Sequence, residues 1–335
     1  MKAVSLFAAG DARVTELAEP RHRAEDVLLK VEMVGLCGTD LNSFRGRNPL
    51  VTFPRVIGHE IAATVQEGTP ELPRGTRVTV SPYTSCGVCS SCRRGRVNAC
   101  VDNQTFGVQR DGALTQWISV PVEKVYPSPL SLKELCIVEP LTVGVHAVAR
   151  GRVTKDDVAV VFGCGGVGLG AVAGAAFRGA RTIAVDLDEG KLETARAAGA
   201  THLIHTKRED FRSRLRELTE GQGPDVVIEA IGLPETYRAA VEEVAFTGRV
   251  VYIGYAKEPV AYETRLFVQK ELDILGSRNA LPADFHEVLT MLEAGRFPVE
   301  QAVSAVVSFE QVPAMLSRWS EEPAAFTKIM VQVQD

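Results

Sequence analysis

Two rhythms of apolar and polar positions divide the chain. Up to about residue 148, short runs rich in β-branched residues at 27–34, 60–65, 77–80 and 117–120 are broken by glycine and proline. Runs of this kind predict a small sheet or partly open barrel with long loops. From Val158 onward, apolar strands at 158–162, 182–185, 202–204, 226–230, 249–253 and 272–275 alternate with helical stretches such as 166–178 and 189–198. Strands separated by helices in this way predict an α/β fold with a parallel, doubly wound sheet. After Gly276 the alternation stops. Residues 285–294 have the spacing of an amphipathic helix and short strands follow. The segment 276–335 is too short for a comfortable core of its own, so it is expected to fold back onto the first lobe. The predicted organisation is 1–148, an inserted parallel-sheet domain at 149–275, and 276–335 rejoining the first.

Candidate chemistry lies at two places in this pattern. Cys86, Cys89, Cys92 and Cys100 stand in the spacing C-x2-C-x2-C-x7-C. Two residues between thiolates let both sulfurs reach one tetrahedral zinc ion at about 2.3 Å, and four thiolates leave no position open for a substrate. The loop 86–100 therefore reads as a structural zinc site. Disulfides are the alternative, but seven cysteines is an odd count and a chain of 335 residues can build a core without cross-links. A free-standing zinc ribbon would divide its ligands into two separated pairs. The interleaved Arg93, Arg94 and Arg96 read as solvated loop charge rather than a nucleic-acid patch, because the chain carries a net charge of -5.

The second place is Gly163, Gly165, Gly166, Val167 and Gly168, a G-x-G-x-x-G spacing entered from the strand 158–162 and left by a small-residue helix. Gly163 suits the tight turn, Gly165 the approach of a pyrophosphate, and Gly168 close helix packing. Asp186 closes the next strand, where a carboxylate accepts from ribose hydroxyls and repels a 2′-phosphate. This favours NAD over NADP. Cys164 occupies a variable position as a small side chain.

The amino terminus reads as a first strand rather than a signal peptide, and no run approaches the ~18 apolar residues that span a bilayer. A cytoplasmic, reducing compartment is the expectation, with neither nucleic acid nor membrane as partner.

Cys37, His59 and Glu139 also carry metal-ligand chemistry. Singly, each suits a blander role: a core cysteine, a hydrogen-bonded loop histidine and a glutamate before proline. Their co-occurrence with a closed zinc site and a nicotinamide-type fold gives them weight. With the motifs 37–40 (Cys-Gly-Thr-Asp), 58–60 (Gly-His-Glu) and 139–141 (Glu-Pro-Leu), the chain resembles zinc-dependent members of the medium-chain dehydrogenase/reductase superfamily, the alcohol and polyol dehydrogenases, over essentially its whole length. These segments are similar to the sorbitol dehydrogenase branch. Residues 276–285 are similar to bacterial dehydrogenases of sugar acids such as L-galactonate and L-gulonate.

The resemblance implies a discontinuous GroES-like, β-rich catalytic domain plus a Rossmann domain. It implies NAD and two zinc ions per chain. Cys37 and His59 are placed on the catalytic zinc, with Glu60 or Glu139 completing the shell, a choice the sequence leaves open. Thr39 is implied as acceptor of the substrate proton and Asp40 as an orienting group. Arg278, Ser43 and Phe53 are placed towards the substrate. Asn42 stands where many relatives have a histidine; an amide cannot ferry a proton at neutral pH, so the relay would leave through ribose hydroxyls, water or Glu139. His146 reads as a core or cofactor-side residue, and His22 shows no ligand spacing. The implied activity is NAD-linked oxidation of a polyol or sugar acid by a homodimer or homotetramer. An L-threonine 3-dehydrogenase-like or other zinc alcohol dehydrogenase activity and a noncatalytic NAD- and zinc-binding regulator are the rival readings.

Overall fold

In the computed structural model, which describes residues 1–21 and 25–334, the two rhythms become two compact units. His22 lies outside the described residues. Met1–Glu139 and Val299–Asp335 form the first unit, and Pro140–Pro298 the second.

Along the first segment run β1 (Lys2–Ala8), β2 (Asp11–Glu16), β3 (Asp26–Leu36), α1 (Gly38–Phe44), β4 (Arg55–Val56), β5 (Glu60–Glu67), β6 (Arg77–Val80), β7 (Trp117–Pro121), β8 (Val125–Pro127) and α2 (Leu132–Arg150). The second unit adds β9 (Val158–Phe162), α3 (Gly166–Phe177), β10 (Arg181–Asp186), α4 (Glu189–Ala197), β11 (His202–His205), α5 (Phe211–Leu218), β12 (Val226–Glu229), α6 (Pro234–Glu243), β13 (Arg249–Tyr252), α7 (Arg265–Gln269), β14 (Asp273–Gly276) and α8 (Pro282–Glu293). The chain ends with α9 (Val299–Ala302), β15 (Ala305–Ser308), α10 (Val312–Glu321) and β16 (Ile329–Gln332).

In the first unit β3 is the organising strand. Its first half alternates buried with half-buried positions, as a sheet with one covered face requires. Its last residues, Val34 to Leu36, are buried on both faces. The sheet order is β15-β16-β3-β5-β6-β8, with β7 also pairing with β3. Both neighbours of β3 at its carboxyl end are antiparallel: Ile329 of β16 faces Leu36, and Glu60 of β5 faces Gly35. Three chain segments far apart in sequence therefore converge where β3 gives way to Cys37. Helix α10 covers this sheet through Val312, Met315, Leu316 and Trp319, in a stretch the apolar pattern assigned to short strands.

In the second unit β11-β10-β9-β12-β13-β14 form one parallel sheet, matching the alternation of strand and helix. Val160, Phe162, Ile183, Val185, Ile204, Val227 and Val250 carry its buried core.

The boundaries depart from those predicted: residues 140–148 and 276–298 belong to the second unit rather than to the first lobe. Helix contacts explain the difference. Past Pro140, α2 packs backbone to backbone on α3, so that a Cβ built on Gly144 would lie 2.2 Å from the Ala171 nitrogen, and one on Gly170 would lie 2.6 Å from the Leu141 oxygen. Helix α8 is held to the same unit by Arg178, which donates twice to Glu287 (2.8 and 2.7 Å), and by His146 Nδ1, 2.8 Å from Asp284 Oδ2. His146 is thus a buried partner of a helix-capping aspartate. Among the described residues, no helix is long and apolar enough to cross a membrane.

Candidate metal centre and cofactor site

Cys37 caps the amino terminus of α1, and Asp40 of the same turn fixes it: Asp40 Oδ2 accepts from the Cys37 N–H at 2.9 Å. The other oxygen of Asp40 accepts from the Gly58 N–H at 3.2 Å and lies 3.8 Å from His59 Nδ1. One fully buried carboxylate thereby ties the cysteine turn to the histidine turn, the orienting role expected of it. As a result, a sulfur of Cys37, a ring nitrogen of His59 and a carboxylate oxygen of Glu60 all lie within 4.8 Å of one another.

This arrangement fits a metal ion. His59 is buried and its Nδ1 has no hydrogen-bond partner. Burial alone would favour the neutral ring, yet Asp40, Cys37 and Glu139 together hold its pKa well above the ordinary histidine value. Glu139 is buried as well; desolvation raises its carboxyl pKa, with His59 opposing and Glu60 reinforcing. So many acidic groups shielded from water, each costing on the order of several kcal/mol to desolvate, call for more positive charge than the side chains alone supply. A divalent cation held by thiolate, imidazole and carboxylate would supply it.

Lys328 was not legible in advance. Its ammonium is buried and donates to both oxygens of Glu60 at 2.5 and 2.6 Å. Burial would lower its pKa, but Glu60 and Cys37 outweigh this and raise it. The one available signal is a charged residue opening the apolar run 329–331; its destination follows only from β16 lying beside β3. Gly35 was likewise missed. A Cβ there would lie 1.9 Å from Glu60 Oε2, so Gly35→Ala is expected to push Glu60 off Lys328. Chelator competition should then show tenfold or more weaker zinc retention at the Cys37 centre, roughly the effect of disturbing an outer partner, with the four-cysteine metal kept.

The other residues placed here differ in what surrounds them. Tyr83 donates its hydroxyl to Glu139 Oε1. Thr39 is half-buried, with its oxygen 3.7 Å from the Cys37 sulfur. Ser43 is buried, donating to the Thr39 carbonyl at 2.8 Å and accepting from Asn48 at 3.1 Å, so its hydroxyl is engaged in holding the turn. Phe53 and Arg278 are exposed.

Cys86, Cys89, Cys92 and Cys100 also gather within 4.8 Å, and none of the cysteines is in a disulfide. The Cys89 and Cys100 sulfurs are 3.9 Å apart. A tetrahedron with zinc–sulfur bonds of about 2.3 Å has edges of about 3.8 Å, so the thiols already hold the spacing the ion needs. The Cys86 and Cys89 N–H groups point at the Cys100 and Cys86 sulfurs (3.3 and 3.4 Å) and would stabilise thiolate charge.

In the second unit, Gly163 at φ +89° makes the turn that leaves β9. Gly165 caps α3 with open space in front of it, and a Cβ on Gly168 would lie 1.8 Å from the Gly163 oxygen. The half-buried helix start, open in front of Gly165, and the close strand approach are what a pyrophosphate cradle needs. Asp186 is aimed by three backbone donors: Cys164 N–H (2.8 Å), Leu187 N–H (2.7 Å) and Asp188 N–H (3.0 Å). Asp186→Ala is expected to weaken NAD binding by about ten- to a hundredfold, the worth of a charge-assisted hydrogen bond, and to narrow the preference over NADP; KM measurements with both cofactors check this. Glu229, unremarked in the sequence, is fully buried at the end of β12. Its Oε1 accepts from Ile231 N–H, Gly232 N–H and Thr236 Oγ1, while Oε2 has no partner.

Known proteins show which family the chain falls in. Residues 23–130 match the alcohol dehydrogenase GroES-like domain, and residues 166–294 match the zinc-binding dehydrogenase domain. An uncharacterized zinc-type alcohol dehydrogenase-like protein of Haemophilus influenzae is 35% identical over 335 residues, 98% of each chain. The L-galactonate-5-dehydrogenase of Escherichia coli is 31% identical over 283 residues, 83% of each chain. Among solved structures, a short chain alcohol dehydrogenase from E. coli CFT073 complexed with NADH superposes with a TM-score of 0.91 at 27% identity, covering 99% of both chains. With the fold, the two donor clusters and these relatives in accord, the chain belongs to the zinc-type medium-chain alcohol/polyol dehydrogenases, oxidoreductases that use zinc and NAD.

Proposed function

We propose that the protein oxidises a secondary alcohol carbon of a polyol or sugar acid, with aldonates such as L-galactonate or L-gulonate as preferred substrates and NAD as hydride acceptor. The observation that carries the metal-dependent chemistry is the meeting of Cys37, His59 and Glu60 with an unpaired, buried imidazole nitrogen. Zinc bound there would supply Lewis acidity to the substrate oxygen, and NAD the hydride acceptor. Around that centre the chain's own groups divide the labour. Cys37 and His59 donate to the metal, and Glu60 or Glu139 completes the set. Asp40 aligns the two turns, and Lys328 balances the Glu60 charge. Thr39 offers a hydroxyl two residues from the ligand sulfur to take the substrate proton. Asn42 is exposed and an amide, so it carries none of that proton onward. Gly163, Gly165, Gly166, Val167 and Gly168 hold the pyrophosphate and Asp186 the ribose.

Two things support a sugar acid. One is the similarity to the E. coli L-galactonate dehydrogenase. The other is Arg278, whose guanidinium can grip a carboxylate through two parallel hydrogen bonds. Phe53 and Ser43 are assigned to the walls of the substrate site. A panel of aldonates, matched polyols and threonine, read by NAD reduction, tests the assignment. Arg278→Ala should raise KM at least tenfold for aldonates and much less for uncharged polyols. Turnover of threonine alone would reject it.

The outermost strand β14 with exposed Ile274, and exposed Val268 and Tyr255, supports a homodimer or homotetramer assembled through the dinucleotide sheet. Unpaired cysteines throughout support a reducing, cytoplasmic setting.

A further inference from the structure

Tyr83 stands at the neck of the four-cysteine loop. Residues 82–84 and 104–106 close that neck: Tyr83 and Thr105 form an antiparallel bridge, and the Thr84 N–H donates to the Gln104 oxygen at 3.2 Å. The Gln104 N–H returns a bond to Thr84 Oγ1 at 2.7 Å, and the Phe106 N–H donates to the Pro82 oxygen at 3.2 Å. Everything from Cys86 to Cys100 lies within the excursion that this neck closes. The phenol of Tyr83 is buried and donates to Glu139 on α2, also buried, whose carboxyl interacts electrostatically with His59 and Glu60. A phenol–carboxylate bond away from water is strong and directional, so it fixes how the Glu139 carboxylate is turned.

We propose that Tyr83 is a positioning residue of the metal centre: braced by the closed four-cysteine loop, it sets the orientation of Glu139 and so couples the structural metal to the catalytic one. The inference rests on the metal-centre reading above and gives the loop a task beyond its own stability. Cys86 follows Tyr83 by three positions, and the Asn103 N–H donates to the Cys100 oxygen just before the strand-like return at Thr105. Opening the loop would release both sides of the neck, and with them the phenol.

The test compares the full-length wild type with Tyr83→Phe, Glu139→Ala and the double variant. It reads zinc affinity at the weaker site by chelator competition and the visible absorption of the protein with cobalt(II) in that site. Tyr83→Phe is expected to weaken the weaker site ten- to a hundredfold and to shift the cobalt bands, with the four-cysteine metal and the circular dichroism unchanged. In the Glu139→Ala background the same change should add nothing, a silence that a general packing defect would not produce. Thr84→Ala, which loosens the neck without touching the phenol, should shift the cobalt bands in the same direction by a smaller amount.

Unchanged bands and affinity in Tyr83→Phe, or an equal effect with and without Glu139, would overturn the positioning role. Unchanged bands in Thr84→Ala would overturn the coupling to the loop. A wild type that binds only one metal would instead overturn the metal-centre reading itself, so the two failures are distinguishable.

Discussion

Cys37→Ser is expected to leave the protein folded but with one zinc per chain instead of two, and to slow turnover by roughly a thousandfold or more. A serine hydroxyl is a far poorer donor than a thiolate, and the Lewis acid is worth several kcal/mol in a transition state that builds charge on oxygen. The fold should survive because the bonds that shape the turn do not involve the sulfur. Asp40 accepts from the backbone N–H of residue 37 and from Gly58, and β3 is paired with β16 up to Leu36 and with β5 up to Gly35. Metal analysis, circular dichroism and NAD reduction on one preparation check the three parts together. Full turnover with one zinc lost would separate the metal from the chemistry.

Cys92→Ser should have its largest effect on stability. Cys92 is buried in the loop, and its pKa is raised to about 11, first by burial and then by its neighbour Cys89. Replacing this ligand opens a closed shell of four thiolates, so the ion loses much of its hold. Structural zinc contributes about 10–16 kcal/mol of apparent binding energy in isolated zinc-binding peptides, and part of that is folding energy here. The variant should lose its tightly held metal, unfold at lower temperature and be cut by protease between residues 86 and 100. Because the ligands must be deprotonated, the wild-type loop should retain its metal at neutral and higher pH and release it as the pH falls. A protease-resistant loop in the metal-free variant would contradict a structural role for the ion.

What could be read from the sequence follows a physical divide. The four cysteines and the Gly163 turn are local: their ligand atoms and phosphate donors lie within a few residues of one another, so spacing alone carries the chemistry. The parallel sheet was legible for a similar reason, since strands buried on both faces must be apolar throughout. Predicted strands at 77–80 and 158–162 match β6 and β9, and the others fall within a few residues of their elements. The Cys37 centre is different. Its donors come from α1, β5 and the loop before it, and only strand pairing brings them together. Resemblance could point to Cys37 and His59, but spacing could not. Lys328 and Gly35 depend on that pairing and Tyr83 on the packing of α2: each takes its role from a residue more than twenty positions away. Residues 276–298 were misplaced because a short terminal stretch carries no sign of which core it joins. His146–Asp284 and Arg178–Glu287 decide it, and both are long-range.

Zinc X-ray absorption on active protein of measured metal content tests the two-ion arrangement. Two zinc ions per chain should appear, with a mean sulfur count midway between four and one. Mild chelation should abolish activity and leave a single ion with four sulfurs. Fully active protein holding one ion in an all-sulfur shell would contradict a catalytic zinc at Cys37 and His59.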